Sequence, residues 1–289
     1  MVQLLESDIA TKEALKWRGV HLIHFQGSAC SQKTRIFLNL KGIDWEPHPL
    51  NLATQENFKP WFLGINPRGL VPVLVHDGVV HIESNDILQY LDERFPEPNL
   101  IPAALRDEII ASLQEEDNLH LDLRALTIRF VVPKFLAQKK PQSLAAIESK
   151  AGTIEGQQDA QKAIELKFWH DYAKQGITDT GARESARKFH AVYQRFEQQL
   201  ASQPYLCGSE ITLLDIAWFI YTHRLKEAGY PFAQQHPRVT TWYQGLLAKP
   251  EFANEVQSPP PLKLITAALH LKHRLRKETL CDVAGFEPK

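Results

Sequence analysis

A hydroxyl and a thiol stand near the start of the chain, where a strand gives way to a helix. Ser28 and Cys30 follow the apolar run Val20–Phe25, which predicts a strand, and lie at the start of a helical pattern over Cys30–Lys41. Backbone N–H groups at a helix N-terminus are unpaired and carry partial positive charge, so they stabilise a thiolate placed there. A serine hydroxyl can add one charge-assisted hydrogen bond. The pair therefore indicates chemistry on sulfur, either of Cys30 itself or of a bound thiol.

Both residues also have a plain structural explanation. A serine before a helix is commonly its N-cap, and a single cysteine is commonly a small buried apolar residue. On this segment alone the structural roles of Ser28 and Cys30 are the more frequent outcome. The choice between the two interpretations depends on the rest of the sequence.

The runs around this segment predict a small mixed α/β domain. The predicted strands are Val20–Phe25, Trp45–Leu50, Val71–His76 and Val79–Ile82, the predicted helices are Cys30–Lys41 and Ser84–Phe95, and Asn57–Leu63 is a short helix or loop. Asp77 and Gly78 are a two-residue turn signal, which predicts a hairpin of the last two strands. Ser84 is the natural N-cap of the last helix. The order β-α-β-α-β-β-α implies a small sheet covered by helices.

A proline-rich run over 96–102 marks the predicted domain boundary, and every pattern after it is helical. The predicted segments are an N-terminal extension at 1–19, a sheet domain at 20–95, a linker at 96–103, an all-helical domain at 104–256 and a C-terminal extension at 257–289. Within the helical part, 138–180 is polar and interrupted by glycines. Thr212 and Asp215 form a capping box in front of the most apolar helix.

Composition argues against several classes of protein. The formal net charge of -1 creates no strong field that would favour nucleic acid or an anionic membrane. The three cysteines Cys30, Cys207 and Cys281 are widely spaced, which indicates neither a disulfide framework nor a zinc site. No apolar run is long enough to span a bilayer, and the first residues lack the apolar core of a signal peptide. We therefore expect a cytoplasmic protein with no metal, nucleic acid or membrane as partner.

Three motifs together resemble the cytosolic glutathione transferases, over roughly residues 20–255. The run Ser28–Arg35 resembles the opening of the zeta class and, more closely, that of the zeta-like glutathione-dependent reductive dehalogenases. Asn66–Leu74 resembles the loop that contains the cis-proline of these enzymes, and Glu83-Ser84 resembles their acidic-serine pair. The resemblance implies a thioredoxin-like α/β N-terminal domain that binds glutathione, an all-α C-terminal domain that binds the second substrate, and a homodimer.

The resemblance also implies how glutathione is held. The backbone of Val71, turned outward by a cis bond to Pro72, pairs with the cysteinyl backbone of glutathione like an added strand. Ser84 binds the γ-glutamyl carboxylate with its hydroxyl and N–H. Glu83 accepts the γ-glutamyl ammonium. The candidates for the glycyl carboxylate are Lys59, Gln55 and His48.

The sequence departs from the zeta pattern in two places. Ala29 replaces the second serine of the motif, which leaves Ser28 as the leading partner of the thiolate. Glu227 stands where maleylacetoacetate isomerases carry an arginine for a substrate carboxylate, although Arg224 lies one turn earlier on the same helix face. An acidic residue at that place weakens the isomerase interpretation.

The sequence as a whole therefore predicts a glutathione transferase that uses Ser28, and possibly also Cys30, against a small hydrophobic electrophile. An alternative is a glutathione-dependent reductive dehalogenase, thiol transferase or ether-cleaving lyase in which Cys30 acts. Cysteine at this place can attack a glutathionyl adduct, form a mixed disulfide and release a reduced product. A second alternative is a non-catalytic protein that binds glutathione or another ligand.

Overall fold

The computed structural model describes residues 2–149 and 153–286 of the 289-residue chain. Residue 1 of the predicted N-terminal extension, residues 150–152 of the polar segment and residues 287–289 of the predicted C-terminal extension lie outside the described residues. Two compact units make up the chain. The first contains the described residues up to Phe95 together with Gln138–Gly176, and the second contains Pro96–Ala137 and the described residues from Ile177 onward.

The secondary structure follows the predicted order closely in the first hundred residues. The strands are β1 Val20–His24, β2 Glu46–Pro49, β3 Val73–His76, β4 Val79–His81, β5 Thr153–Ile154 and β6 Gln157–Gln158. The helices are α1 Ala29–Lys41, α2 Pro60–Leu63, α3 Ser84–Arg94, α4 Arg106–Asn118, α5 His120–Phe130, α6 Lys134–Ala137, α7 Pro141–Ser149, α8 Ala160–Gln175, α9 Asp179–Gln199, α10 Leu213–Glu227, α11 Phe232–Gln235, α12 Pro237–Leu247, α13 Pro250–Ala253, α14 Pro260–Arg276 and α15 Leu280–Ala284.

Four strands form the mixed sheet of the first unit, in the order β2-β1-β3-β4. β1 runs parallel to β2 and antiparallel to β3, and β3 runs antiparallel to β4. Asp77 and Gly78 close the β3–β4 hairpin with φ angles of 50° and 84°, as the turn signal predicts. Gly42 ends α1 in the left-handed region, at a φ of 60°. The thioredoxin-like α/β fold expected for this part of the chain is confirmed.

The described residues of the N-terminal extension predicted at 1–19 pair with this sheet. The N–H of Leu4 donates to the carbonyl of Val80 at 2.9 Å, and the N–H of Ile82 donates to the carbonyl of Val2 at 3.2 Å. Leu4 and Ile9 are buried in the core cluster beneath the sheet. The extension packs onto the sheet because it pairs with the exposed edge of β4 and buries its apolar side chains.

The polar segment also differs from its predicted place, because residues 138–176 pack within the first unit instead of the helical one. Ile154 joins the core cluster of the sheet, and Ile147 packs against Phe58. The carboxylate of Asp8 accepts a hydrogen bond of 2.7 Å from the hydroxyl of Thr153. A few apolar residues, diluted in a polar stretch, therefore anchor the segment to the sheet domain.

The second unit is all-helical, as expected. The capping box of Thr212 and Asp215 is present at the start of α10, and every residue from Leu213 to Thr222 is buried. Helices α4 and α5 are separated at Leu119, whose φ and ψ are -93° and 1°. No residue of α14 is buried. Among the described residues, no helix is long and apolar enough to cross a membrane.

Candidate functional site

The topology of the sheet brings the predicted site residues to one edge. The carboxyl ends of β1, β2 and β4 and the amino end of β3 lie at the same edge, because β3 runs against β1 and β4 while β2 runs with β1. Ser28 and Cys30 follow β1, and Lys59 follows β2. Val71 and Pro72 precede β3, and Glu83 and Ser84 follow β4. The directions of the four strands thus place the segments that carry these residues at the same edge of the sheet.

Ser28 is the N-cap of α1. Its Oγ accepts a hydrogen bond of 3.3 Å from the N–H of Ser31, and its φ and ψ of -78° and 126° are extended. Within the described part of the chain, the hydroxyl proton of Ser28 has no acceptor. A hydroxyl can accept and donate at once. The capping role and a thiolate-binding role are therefore compatible, and the two interpretations of Ser28 do not exclude each other.

The three cysteines differ in their surroundings. Cys30 is half-buried in the first turn of α1, and Cys207 and Cys281 lie in the second unit. Burial, together with the charge of Glu108, raises the pKa of the Cys207 thiol to about 12, and burial also raises the pKa of Cys281. Formation of a thiolate is thus disfavoured at Cys207 and Cys281, whereas Cys30 lies in the first turn of a helix.

A buried arginine supports the loop that carries Ser28. The guanidinium of Arg35 donates to the carbonyls of Phe25 and Gln26 at 3.3 and 3.1 Å. Another of its N–H groups lies 3.1 Å from Nδ1 of His24, which acts as the acceptor because arginine only donates. Burial, reinforced by the positive charge of Arg35, lowers the pKa of His24 to about 4. His24 is therefore neutral near pH 7, and Arg35 holds the β1–α1 connection in place.

The loop before β3 is shaped by its own side chains. Asn66 donates from its amide to the carbonyl of Leu70 at 2.9 Å and accepts from the N–H of Arg68 at 3.0 Å. Gly69 has a φ of 68°, and a Cβ there would lie 3.1 Å from the ring of Phe58. Only glycine fits this position without strain. The Asn-Pro-Arg-Gly part of the motif is thus explained by the turn it makes.

The peptide bond between Val71 and Pro72 is cis, as the resemblance implies. Val71 lies two residues before the first residue of β3, outside the ladder between β1 and β3. Its N–H and C=O make no hydrogen bond within residues 2–149 and 153–286. An extended peptide can therefore pair with this backbone in the manner of an added strand.

Helix α3 begins one residue earlier than its predicted N-cap implies. Glu83 holds the N-cap position with a φ of 67°, and Ser84 is the first helical residue. The expectation that Ser84 caps α3 is therefore wrong, because the chain turns into the helix at Glu83. Ser84 is buried, and its hydroxyl makes no hydrogen bond to any described residue. A hydroxyl and the unpaired N–H groups in the first turn of a helix can bind an anion.

Arg68 joins Glu83 to Asp159, a residue that the sequence analysis did not single out. Nε and Nη2 of Arg68 donate to the two carboxylate oxygens of Asp159 at 2.7 and 2.8 Å, and Nη1 donates to Oε1 of Glu83. Burial lowers the pKa of Arg68, but the hydrogen bonds to Asp159 and the charge of Glu83 outweigh burial and raise it. Arg68 is part of the quoted loop motif, whereas Asp159 lies 91 residues away in the polar segment and carries no local signal.

The three candidates for a glycyl carboxylate have different environments. The side chain of Gln55 accepts from the N–H of Lys140 at 3.1 Å, and the ring of His48 stacks on Trp17 with centroids 4.1 Å apart. Lys59 keeps 66% of its side chain exposed. In the part of the chain that the structure describes, no group of three or more histidine, cysteine or acidic side chains could hold a metal ion.

Comparison with known proteins places this architecture in a family. A family model described as "Glutathione S-transferase, N-terminal domain" matches residues 27–94, and one described as "Glutathione S-transferase, C-terminal domain" matches residues 179–245. A zeta-class glutathione S-transferase from Euphorbia esula is 48% identical over 83 residues, which are 29% of this chain and 37% of that protein.

A second relative resembles the chain over most of its length. Protein LigF of a Sphingobium species is 27% identical over 241 residues, which cover 79% of this chain and 90% of that protein. The crystal structure of the beta-etherase LigF superposes with a TM-score of 0.67 at 27% identity, over 82% of this chain and 98% of that one.

The chain belongs to the glutathione transferase superfamily. Within the superfamily it is zeta-like, as its motifs indicate. The chain spans 37%, 39% and 55% of the lengths of three of the plant relatives it matches, among them the zeta-class protein. All three shares are under two thirds, so these relatives alone do not establish the activity of the whole protein.

Proposed function

We propose that the protein is a glutathione transferase in which Ser28 stabilises the thiolate of bound glutathione for attack on a small hydrophobic electrophile. The observation that supports this most directly is the Ser28 hydroxyl, which accepts a hydrogen bond from the N–H of Ser31 while its own proton has no acceptor among the described residues. A hydrogen bond to a charged sulfur contributes about 1.5–3 kcal/mol. The N-terminus of α1 adds about 0.3–1 kcal/mol. The two contributions would together lower the pKa of the glutathione thiol toward neutrality.

Glutathione would lie along the sheet edge that carries Ser28. Its cysteinyl backbone would pair with the N–H and C=O of Val71 next to Pro72, and its γ-glutamyl carboxylate would meet the hydroxyl of Ser84 and the start of α3. Glu83 would accept the γ-glutamyl ammonium. Lys59 is the preferred partner of the glycyl carboxylate, because it is a cation with 66% of its side chain exposed and, among the described residues, is held only by a 3.8 Å ion pair with Glu56.

Cleavage of an ether is a second candidate, since the relative that matches 79% of the chain has a structure described as a beta-etherase. In that reaction the glutathione thiolate displaces an alkoxide or aryloxide, so that a C–S bond forms as the C–O bond breaks. The leaving oxygen then takes up a proton. Isomerisation of a dicarboxylate is less well supported, because Nη1 of Arg224 donates to Glu227 at 2.9 Å and its charge is neutralised.

Ser84→Ala should weaken the binding of glutathione by roughly 1–3 kcal/mol, because one hydrogen bond to a carboxylate is lost. Thermal stability should hardly change, since the Ser84 hydroxyl does not cap α3. Calorimetric titration with glutathione measures the first effect, and a thermal melt measures the second. Unchanged affinity would remove Ser84 from the site, and a large loss of stability would give it a structural role.

We further propose that the protein acts as a cytoplasmic homodimer burying well over about 1,000 Å². No disulfide joins Cys30, Cys207 or Cys281, which fits a reducing compartment. The apolar side chains of Leu264, Leu271 and Leu275 on α14 are 58–79% exposed, so the C-terminal extension is the segment most able to alter the usual dimer.

The dimer predicts twice the chain mass in solution. Light scattering at micromolar protein concentration should give this value at physiological salt. A monomer mass under those conditions would contradict the proposal. Substitution of Leu264 and Leu271 by lysine then tests whether α14 takes part, since only an interface that includes this helix would weaken.

A further inference from the structure

Three charged side chains meet beside the first turn of α3, and their charges do not cancel. Arg68 contributes one positive charge, and Glu83 and Asp159 contribute two negative charges. Arg68 and Asp159 keep only 10% and 6% of their side chains exposed, whereas Glu83 keeps 33% exposed. The cluster therefore carries a surplus negative charge on the side chain that solvent can reach.

The hydrogen bonds show how the two carboxylates share the arginine. Asp159 engages Nε and Nη2 of Arg68 with both of its oxygens, the bidentate geometry that neutralises a guanidinium most completely. Glu83 uses only Oε1 toward Arg68, and its Oε2 makes no hydrogen bond within the described residues. One oxygen of Glu83 is thus left for a donor from outside the chain.

We infer that Asp159 sets the charge of the subsite for the γ-glutamyl ammonium of glutathione, by neutralising Arg68 so that Glu83 keeps its own charge for the ligand. This inference rests on the proposed function, because it takes glutathione as the ligand. Asp159 is a positioning residue that acts through Arg68. It reaches the site because Ile154 and Ile147 anchor the segment 138–176 to the sheet domain.

The pair of Arg68 and Glu83 alone would not attract an ammonium group. Without the charge of Asp159 the pair is neutral, and the arginine fork would turn toward both oxygens of Glu83. A role of Arg68 in binding the ligand carboxylate directly is disfavoured. Three of its five N–H donors are already used, and its side chain is almost wholly buried.

The inference is tested with two ligands that differ only at the amine. Wild-type protein and Asp159→Asn are titrated calorimetrically with glutathione and with glutaryl-Cys-Gly, which keeps every carboxylate but lacks the γ-glutamyl amine. Asparagine preserves an acceptor for the N–H of Gln161, so the N-cap of α8 is retained. The matched control is Asp171→Asn, which removes an exposed carboxylate paired with Lys167 on the same helix.

We expect the wild type to prefer glutathione over the analogue by about 10–100-fold, the value of one charge-assisted hydrogen bond. Asp159→Asn should reduce this preference by about fivefold or more while the analogue binds as before, and Asp171→Asn should leave it unchanged. Arg68→Met, which leaves both carboxylates without their cation, should keep or increase the preference. If Asp159→Asn folds poorly, the ligand preference of Arg68→Met still tests the inference independently.

Three results would overturn the inference. Equal weakening of both ligands by Asp159→Asn would mean that the residue is merely structural, and tighter binding of glutathione would mean that Arg68 holds the ligand carboxylate. A loss of preference in Arg68→Met would also contradict it. If the wild type binds neither ligand, the proposed function itself fails, which differs from a wild type that binds glutathione with no sensitivity to Asp159.

Discussion

Replacement of Asp215 by alanine is expected to destabilise the protein by about 3–5 kcal/mol, because four buried donors would lose their acceptor. The Asp215 carboxylate is fully buried and accepts hydrogen bonds from the N–H groups of Leu206 and Thr212 at 2.9 Å each. It also accepts from Nε1 of Trp242 at 2.8 Å and from the hydroxyl of Thr212 at 3.0 Å. It therefore ties the loop before α10 and helix α12 to the start of the central helix.

The chain offers a matched control for this experiment. Thr279 and Asp282 form the same capping box at the start of α15, with the Asp282 carboxylate exposed to solvent. Asp282→Ala should cost about 1 kcal/mol or less, since water can replace the lost acceptor. Urea unfolding of both variants, followed by circular dichroism, measures the difference. Equal losses would show that the buried contacts of Asp215 add nothing to ordinary capping.

Local signals in the sequence were reliable where one residue type decides the geometry. The turn at Asp77 and Gly78, the left-handed stop at Gly42 and the capping box of Thr212 and Asp215 all depend on neighbours within four residues. The hairpin signal places β3 beside β4, whereas the places of β1 and β2 in the sheet come from the tertiary fold. The order of the strands in turn collects the candidate site residues at one edge.

Elements held by distant contacts could not be predicted in the same way. The N-terminal residues pair with β4 through Leu4 and Val80, and Asp8 meets Thr153 across 145 residues. The break between α4 and α5 at Leu119 contains neither proline nor glycine, so the local sequence does not predict it. Burial of a few apolar side chains, and not their local pattern, decides where these segments lie.

In the candidate site, too, features set by local neighbours could be predicted from the sequence, and features set by distant contacts could not. Ser28 could be placed at a helix start from its neighbours alone, and the helix there fulfils that expectation. The start of α3 was misjudged by one residue, because the positive φ of Glu83 is not encoded in its residue type. The ion pair of Arg68 with Asp159 forms only in the tertiary fold. From the sequence alone, an aspartate 91 residues away cannot be distinguished from an ordinary surface aspartate.

Ser28 and Cys30 are expected to divide the chemistry of the site, and their alanine variants should separate it. Stabilising a bound thiolate requires a donor that is not consumed, which suits the Ser28 hydroxyl. Ser28→Ala should therefore lower the rate of conjugation by about 10–100-fold, the usual effect of losing one such donor. Cys30→Ala should largely spare conjugation, measured with a generic aromatic electrophile and glutathione.

Disulfide chemistry should show the opposite dependence. The Cys30 thiolate can attack a sulfur of oxidised glutathione, forming a mixed disulfide on the protein and releasing one glutathione thiolate. Mass spectrometry after exposure to oxidised glutathione should find the adduct on Cys30 and on neither Cys207 nor Cys281, whose pKa values are raised by burial. Any thiol-transfer or reductive activity should vanish in Cys30→Ala and persist in Ser28→Ala. If Cys30→Ala instead abolishes conjugation while Ser28→Ala has no effect, the roles are reversed and the nucleophile is stabilised as in a cysteine-type transferase.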